Sequence, residues 1–344
     1  MSGHKPWPPD PAAPVYFDGN PTVTQNPVTT SAIRSGTVTT ATISSGGLTA
    51  PATDPLLKPA RPAGHKISLL VPFNPSDPQR VRVWNWLRKY WHFNLPGCEI
   101  VMGRDKASEG EKKPFSKTTA VNDAFRKSTG DIIVIMDADT YIEETVVEHC
   151  AARIRLARKA GVRVWFVPYR QIYRLTRDCT TDVLDSDPKH PLRFSSPPPA
   201  ECIEDGAGSA LGHKYGALIQ IMPREAFEMV GGMDCRFRGW GGDDVSFMKA
   251  VDTLWAVHTN TPNDVLHLWH PKLEVGEWRD PLGRWWEVRV WTGQTQSRVN
   301  DELTIQYLKA YGNRRWMREI VRAGCKACRR QKSWFWRLFH RGCY

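Results

Sequence analysis

The strongest constraint on the fold is a set of short apolar segments that alternate with segments of helical character. KISLLVPF (66–73), DIIVIM (131–136) and VRVWFVPY (162–169) are apolar along most of their length, which is typical of strands covered on both faces. CEIVMGRD (98–105) is a further predicted strand. Helices are predicted between these strands, at roughly 78–91, 116–128 and 141–159. This alternation predicts an α/β fold with a mostly parallel sheet flanked by helices.

The second half of the chain continues the pattern after a long segment, 176–212, that is rich in Pro, Asp and Gly and is predicted to be a loop. Beyond it the predicted elements are a strand and short helix within 216–232, a helix at 244–254, a strand at 264–271 and a helix at 301–311. Where helix boundaries carry a sequence signal, we expect Ser116 to cap the second helix and Gly130 to stop it.

The two ends of the chain differ in composition from the body. Residues 1–64 are rich in Pro, Thr, Ser, Gly and Ala and are predicted to be disordered or loosely extended. Residues 313–344 hold ten Lys and Arg against one acid, whereas 63–312 hold 33 basic and 32 acidic residues. We therefore predict a folded domain over 65–312 and a basic, aromatic, helical tail over 313–344. The tail favours an anionic membrane surface or a partner protein, with nucleic acid the less favoured partner.

Cysteine usage and the N-terminus bear on the compartment. Of eight cysteines, the five in the body are scattered without paired spacing, as in a reduced cytosolic protein. Cys325 and Cys328 form a CxxC without a second pair, which we interpret as two thiols rather than a zinc site. No signal-peptide core and no apolar run of about 18 residues occur. The expectation is a cytoplasmic protein, peripheral at a membrane if the tail binds one.

Two carboxylates, Asp137 and Asp139, directly follow the predicted strand DIIVIM. In parallel α/β sheets, ligands bind beyond the carboxyl ends of the strands. An Asp-x-Asp pair at such an end can place an oxygen on a divalent metal, which in turn can hold a diphosphate. The alternative is a turn with a capping Asp, but the position after a buried strand favours the metal.

His267 and His270 lie in the predicted strand DVLHLWHP. On an extended chain, positions three apart do not share a face. A turn near Trp269 and Pro271 would let both imidazoles converge, and neutral imidazole suits metals of the Mn²⁺ type. From the residues alone, one core histidine and one surface histidine is the favoured interpretation.

The segment CRFRGWGGDDVSF (235–247) places Trp240, Gly241 and Gly242 directly before Asp243 and Asp244. Glycines allow the backbone to approach a ligand closely. A carboxylate at this position can act as a general base toward an attacking hydroxyl. The competing interpretation is a pair of acids at a helix N-terminus, which the helix dipole favours.

These pieces, in this order, resemble the GT-A glycosyltransferases, in particular the family 2, beta-1,4-galactosyltransferase and polypeptide N-acetylgalactosaminyltransferase group. The resemblance covers roughly 66–275 and is most specific in GALIQIMPREAFEMVGGMDCRFRGWGGDDVSF (216–247). It implies a GT-A fold and metal-dependent, inverting transfer of a sugar from a nucleotide-sugar, expected to be a UDP-sugar, to a hydroxyl of a glycan or protein. The cofactor would be Mn²⁺, with Mg²⁺ as the alternative. The rival hypothesis is an inactive binding protein with the same fold.

The resemblance also implies roles for individual residues. Asp244 would be the general base, and an acid there favours inversion, since the retaining relatives carry a different residue. Asp139 and His270 would ligate the metal, joined by His267 and Asp137. Trp240, Gly241, Gly242 and Asp243 would contact the sugar and acceptor. The implied donor-binding residues are Pro72, Phe73, Asp105, Phe115, Lys117, Asp137, Asp139 and Trp240.

Two positions depart from the galactosyltransferase pattern. Lys117 stands where those enzymes usually have Arg, so a bidentate contact with the nucleotide becomes a point charge. Asn74 also stands where they have Arg, and we expect Arg80 or Arg82 to compensate for the missing charge near the diphosphate.

Overall fold

A computed structural model describes the chain over most of its length. The described residues are 66–75, 77–106, 114–204, 217–271, 278–279, 285–286, 288–291 and 294–330. The predicted disordered segment 1–64 and the last part of the predicted tail, 331–344, lie outside the described residues.

The described part contains strands and helices in the alternation that the sequence predicts. The strands are β1 (Ile67–Pro72), β2 (Glu99–Gly103), β3 (Ile132–Met136), β4 (Thr140–Tyr141), β5 (Phe166–Val167), β6 (Gln171–Arg174), β7 (Ile219–Pro223), β8 (Thr259–Asn260), β9 (Asp264–His267), β10 (Trp278–Arg279), β11 (Trp285–Trp286), β12 (Val288–Trp291) and β13 (Gln294–Ser297). The helices are α1 (Pro78–Asn94), α2 (Lys117–Lys127), α3 (Glu144–Lys159), α4 (Arg177–Asp185), α5 (Arg224–Met229), α6 (Asp243–Leu254), α7 (Arg298–Ala310) and α8 (Arg314–Arg330).

The central sheet has the strand order β2-β1-β3-β7-β5-β8. Among these described strands, β7 alone runs antiparallel to its neighbours β3 and β5, and the other five share one direction. Strands β1, β3 and β7 are buried along their whole length, as their apolar sequences predict. The predicted α/β fold with a mostly parallel sheet is therefore confirmed, although the strand predicted at 162–169 is reduced to β5.

Helix α2 begins as predicted and ends earlier than predicted. The Ser116 side chain accepts a hydrogen bond from the backbone N–H of Thr119 at 3.2 Å, so Ser116 is the N-cap. The helix ends at Lys127 with Ser128 as its C-cap, so Gly130 is not the stop residue. A Cβ at Gly130 would lie 2.5 Å from Ser68 Oγ, and the glycine serves the close approach to β1 instead.

A second, three-stranded sheet lies beside the end of β3, with the order β4-β9-β6. Its antiparallel β4–β9 pair sets Thr140 opposite His267. The backbone N–H of Leu268 also donates to the carbonyl of Asp139 at 2.8 Å. This pairing brings the HLWH segment to the carboxyl end of β3, where the DAD segment lies.

The long loop predicted over 176–212 is partly helical. It begins with α4, which is capped by Thr176 and contacts α1. A disulfide joins Cys179 in α4 to Cys202 near the end of the described part of the loop. Residues 205–216 lie outside the described part.

The start of the predicted tail is part of the folded body. Helix α8 packs on α6 and α7 and buries Met317 and Ile320. A Cβ added to Gly324 would lie 2.7 Å from the Asp234 carboxyl carbon, so α8 approaches the body closely. Within the described residues, no helix is both long and apolar enough to cross a bilayer.

The prediction of reduced, unpaired cysteines is wrong for four of the described cysteines, whereas Cys98 and Cys150 form no disulfide. Besides the Cys179–Cys202 bond, Cys328 of α8 forms a disulfide with Cys235. Cys325 lies outside both disulfides, and its thiol donates to the Gly231 carbonyl at 3.4 Å. The paired residues are 23 and 93 positions apart but have Cα–Cα distances of 5.4 and 5.2 Å. Folding creates this proximity, and the spacing of cysteines along the chain does not reveal it.

Candidate active site

The carboxylates of the DAD segment emerge where β3 ends. The buried apolar run of β3 carries the chain to Asp137, and Asp139 follows with only 4% of its surface exposed. Arg80, from α1, donates through Nη2 to Asp139 Oδ2 at 3.0 Å. Arg82 instead pairs with Asp185 at 2.7 Å on the surface. Of the two arginines expected to compensate for Asn74, Arg80 is therefore the one at this site.

The two histidines of HLWH converge on Asp139. His270 Nε2 lies 3.1 Å from Asp139 Oδ2, and His267 Nε2 lies 3.8 Å from Asp139 Oδ1. Strand β9 ends at His267, so the chain leaves the extended conformation before His270. The centroids of the two imidazole rings are therefore only 5.3 Å apart. The alternative of one core and one surface histidine does not hold, because both side chains are largely buried and face the same carboxylate.

The side chains of Asp139, His267 and His270 fit a divalent cation. Their ligand atoms all lie within 4.8 Å of one another. His270 Nδ1 lies 2.8 Å from the Pro271 carbonyl, and in the tautomer that donates a proton there, Nε2 carries the lone pair that a metal would bind. Asp139 Oδ1 is buried and has no hydrogen-bond partner among the described residues. A cation would bind both His270 Nε2 and Asp139 Oδ1. Mixed carboxylate and imidazole ligands suit Mn²⁺.

The protonation states of this group also suit a metal. Burial raises the pKa of Asp139, but His267, His270 and Arg80 outweigh it and hold that pKa well below its usual range. Burial lowers the pKa of His267 to about 4. At neutral pH the site therefore presents an ionised carboxylate and a neutral imidazole, the forms that bind metal.

Lys117 joins the DAD segment to the GWGG segment. Its Nζ lies 2.6 Å from Asp137 Oδ1 and 2.9 Å from Asp244 Oδ2. Burial lowers the pKa of Lys117, but Asp137, Asp244 and Asp243 outweigh it and raise that pKa well above its usual range. Asp137 is therefore held by an ammonium group and does not belong to the cluster around Asp139, although the sequence predicts it as a metal ligand.

The acids that Lys117 holds have raised pKa values. Burial raises the pKa of Asp244 well above its usual range, with further contributions from Asp243 and Asp137 that Lys117 offsets only in part. Burial likewise raises the pKa of Asp137 to about 6, against the opposing charge of Lys117. A buried carboxyl with a raised pKa is a base better matched to neutral pH than an exposed one.

The glycines of the GWGG segment take backbone conformations that other residues rarely adopt. Gly241 has φ +107° and Gly242 has φ +79°. Gly242 is also the N-cap of α6, and a Cβ there would lie 1.9 Å from Thr304 Oγ1. Asp243 and Asp244 are the first two residues of α6, so they are also the helix N-terminal acids of the competing interpretation. Trp240, three residues before Asp243 in the sequence, is 51% exposed.

Asn300, on α7, is a residue of this site that the sequence does not reveal. Its side chain is fully buried, and Nδ2 donates to the carbonyls of Arg238 at 2.9 Å and Trp240 at 3.3 Å. Its Oδ1 accepts from the Arg238 backbone N–H at 3.3 Å. No motif surrounds Asn300, and it lies 60 positions after Trp240, so only the packing of α7 shows its role.

The remaining predicted donor residues make contacts of their own in the fold. Pro72 ends β1, Phe73 packs on Trp84 with ring centroids 6.2 Å apart, and the Phe115 carbonyl accepts from Gly239 N at 2.9 Å. The Asp105 side chain is fully buried and accepts from Ser116 N at 3.0 Å and Arg238 Nη1 at 3.2 Å. This geometry favours a structural ion pair for Asp105 over the predicted contact with the base.

Two models of known protein families match part of the chain. Residues 111–210 match the model of glycosyl transferase family 2, and residues 211–252 match the model described as N-terminal domain of galactosyltransferase. Residues 111–252 therefore match models of glycosyltransferase domains. The two matched ranges contain the DAD and GWGG segments, whereas His267, His270 and Asn300 lie beyond them.

Solved structures of glycosyltransferases are also similar to this chain. The catalytic domain of Drosophila beta1,4-galactosyltransferase 7 shares 14% identity at a TM-score of 0.29, over 58% of this chain and 66% of that one, just under two thirds of its length. S. aureus TarS 1–349 shares 11% at a TM-score of 0.36, over 59% and 60%. Glucosyl-3-phosphoglycerate synthase from Mycobacterium tuberculosis shares 12% at 0.33, over 60% and 74%. No curated protein matches the sequence.

Proposed function

We propose that this protein is a metal-dependent, inverting glycosyltransferase. It moves a sugar from a nucleotide-sugar donor to a hydroxyl of a glycan or protein, and the donor is a UDP-sugar. The observation that carries the proposal is the contact of Lys117 with both Asp137 and Asp244. Through it, Asp137, directly after β3, and Asp244, in the first turn of α6, form one buried, charged site. A donor diphosphate near Asp137 and an acceptor hydroxyl near Asp244 would lie next to each other.

The metal site is assigned to the cluster around Asp139. Asp139, His267 and His270 would hold the divalent cation, with Mn²⁺ expected because the ligands are mixed carboxylate and imidazole. When bound, the cation would neutralise the negative charge that develops on the leaving diphosphate. Arg80, 3.0 Å from Asp139, adds a second positive charge on the same side of the site.

Asp244 is assigned as the general base. In the proposed reaction, the acceptor O–H gives its proton to an Asp244 oxygen while the hydroxyl oxygen bonds to the anomeric carbon. The bond from that carbon to the diphosphate breaks, and its electron pair leaves with the diphosphate. Asp244 Oδ1 is buried without a hydrogen-bond partner among the described residues, so this oxygen is available for the incoming proton. A single displacement from the opposite face inverts the anomeric configuration.

Trp240 and its neighbours are assigned to the sugars. A half-exposed indole ring offers a flat apolar face on which a sugar ring can stack, and Asp243 at the start of α6 would accept hydrogen bonds from sugar hydroxyls. The positive φ angles of Gly241 and Gly242 form the turn between Trp240 and the acids Asp243 and Asp244. Lys117, which contacts Asp137 and Asp244, would also contact a donor phosphate.

The test is a transfer assay with a panel of nucleotide-sugars and hydroxyl acceptors in Mn²⁺, with products identified by mass spectrometry and their anomeric configuration by NMR. We expect transfer from a UDP-sugar, its loss with EDTA, and an inverted product. Asp244→Asn should abolish transfer and spare Mn²⁺-dependent donor binding. Full turnover by that variant would refute the base assignment. Donor binding without turnover across the panel would favour the inactive binding protein instead.

A further inference from the structure

Helix α8 carries a straight basic stripe on its outer face. Arg315, Arg318, Arg322 and Lys326 are exposed, and their spacings of three and four residues place them along one side of the helix. The stripe is about 16 Å long, since an α-helix rises 1.5 Å per residue. Glu319, which lies 3.6 Å from Arg315, is the one acid within the described helix.

The opposite face of α8 fixes the direction in which this stripe points. Met317 and Ile320 are buried against the body, and Cys328 is bonded to Cys235. Arg314 donates to the Thr253 and Leu254 carbonyls at the end of α6, both at 2.9 Å. The stripe is therefore a fixed surface of the folded domain, turned away from the core.

We propose that the α8 stripe docks the protein onto an anionic lipid bilayer. The charge complementarity is specific to this helix, because residues 63–312 carry 33 basic and 32 acidic residues and have almost no net charge. A straight row of Lys and Arg side chains on a rigid helix lies along a flat anionic surface with all of its charges near the phosphates at once.

Exposed aromatic rings beside the stripe favour a bilayer over nucleic acid. Trp316 is 40% exposed and Tyr311, just before the helix, is 45% exposed. Amphipathic rings of this kind are enriched at the level of lipid headgroups. The sequence after α8, QKSWFWRLFHR, continues the mixture of aromatic and basic residues.

The test is flotation of the full chain with vesicles of phosphatidylcholine alone or with 30% phosphatidylserine, at two salt concentrations. One variant replaces Arg315, Arg318, Arg322 and Lys326 by Gln. The matched control makes the same charge change at four other exposed positions, Arg88, Lys89, Lys159 and Lys189. Transfer activity on soluble substrates and the midpoint of thermal unfolding establish that both variants fold.

We expect the native chain and the control variant to float with the anionic vesicles, to do so less in high salt, and not to float with neutral vesicles. The stripe variant should bind the anionic vesicles a hundred- to a thousandfold more weakly, since each Lys or Arg near such a surface contributes roughly a factor of five. Equal binding by the two variants, or no flotation of the native chain, would overturn the proposal. Loss of oligonucleotide binding in the stripe variant, without any vesicle binding by the native chain, would assign the stripe to nucleic acid.

Discussion

Lys117 Nζ lies 2.9 Å from Asp244 Oδ2, so the proposed general base is held in an ion pair before any substrate binds. The same ammonium lies 2.6 Å from Asp137, and all three side chains are largely buried. Lys117 therefore lies between two mutually repelling carboxylates and offsets part of their repulsion, and it is the residue through which the two halves of the site depend on each other.

We expect Lys117→Met to reduce transfer by at least a hundredfold and to destabilise the domain by up to about 3 kcal/mol, because two buried carboxylates lose their counter-charge. Lys117→Arg retains the charge and should recover the stability and most of the turnover. Urea unfolding and steady-state kinetics measure the two effects. Unchanged turnover in Lys117→Met would show that the ion pair is dispensable.

Substitution of Arg80 tests the cluster around Asp139, and substitution of the nearby Arg82 is the matched control. Arg80→Gln removes a positive charge 3.0 Å from Asp139 and should raise the KM for the donor about tenfold, since a charge-assisted hydrogen bond contributes about 1.5–3 kcal/mol. Arg82→Gln breaks an exposed pair with Asp185 and should change the KM by less than twofold. Equal effects of the two substitutions would contradict the placement of Arg80 in the donor site.

Asn300 is expected to position the GWGG segment. Asn300→Ala leaves the Arg238 and Trp240 carbonyls without their side-chain donor and should lower kcat tenfold or more, with a loss of stability of about 1–3 kcal/mol. Asn94→Ala is the matched control, because Asn94 also donates to two carbonyls, those of Tyr90 and Pro188. It should lower stability by a similar amount while kcat stays within twofold. A kcat for Asn300→Ala that equals that of the control would refute the positioning role.

The Cys235–Cys328 disulfide ties α8 to the segment that leads into GWGG. Replacing both cysteines by Ser should lower the free energy of unfolding by about 2–4 kcal/mol, because the bond closes a long loop with a sequence separation of 93. The Cys179–Cys202 bond closes a shorter loop, so the corresponding double Ser variant should lose less stability. Urea unfolding of both variants, with peptide mapping of the native disulfides, checks the order. A reversed order would contradict the loop-closure explanation.

The sequence by itself determined the elements whose patterns are local. The apolar runs of β1 and β3 and the Ser116 cap of α2 depend on neighbouring residues only, so periodicity and capping rules locate them. The position of Asp139 after a buried strand and the glycines before Asp244 are likewise readable, because a strand end and a positive φ leave direct signatures in the sequence.

Tertiary structure alone decided which distant side chains meet. His267 and His270 reach Asp139 because β9 pairs with β4, and Arg80 reaches it because of how α1 packs on the sheet. Asn300 contacts the GWGG segment through the packing of α7, and Cys328 finds Cys235 through that of α8. None of these contacts has a local pattern, because each depends on the placement of whole elements that the central sheet and the hydrophobic core arrange.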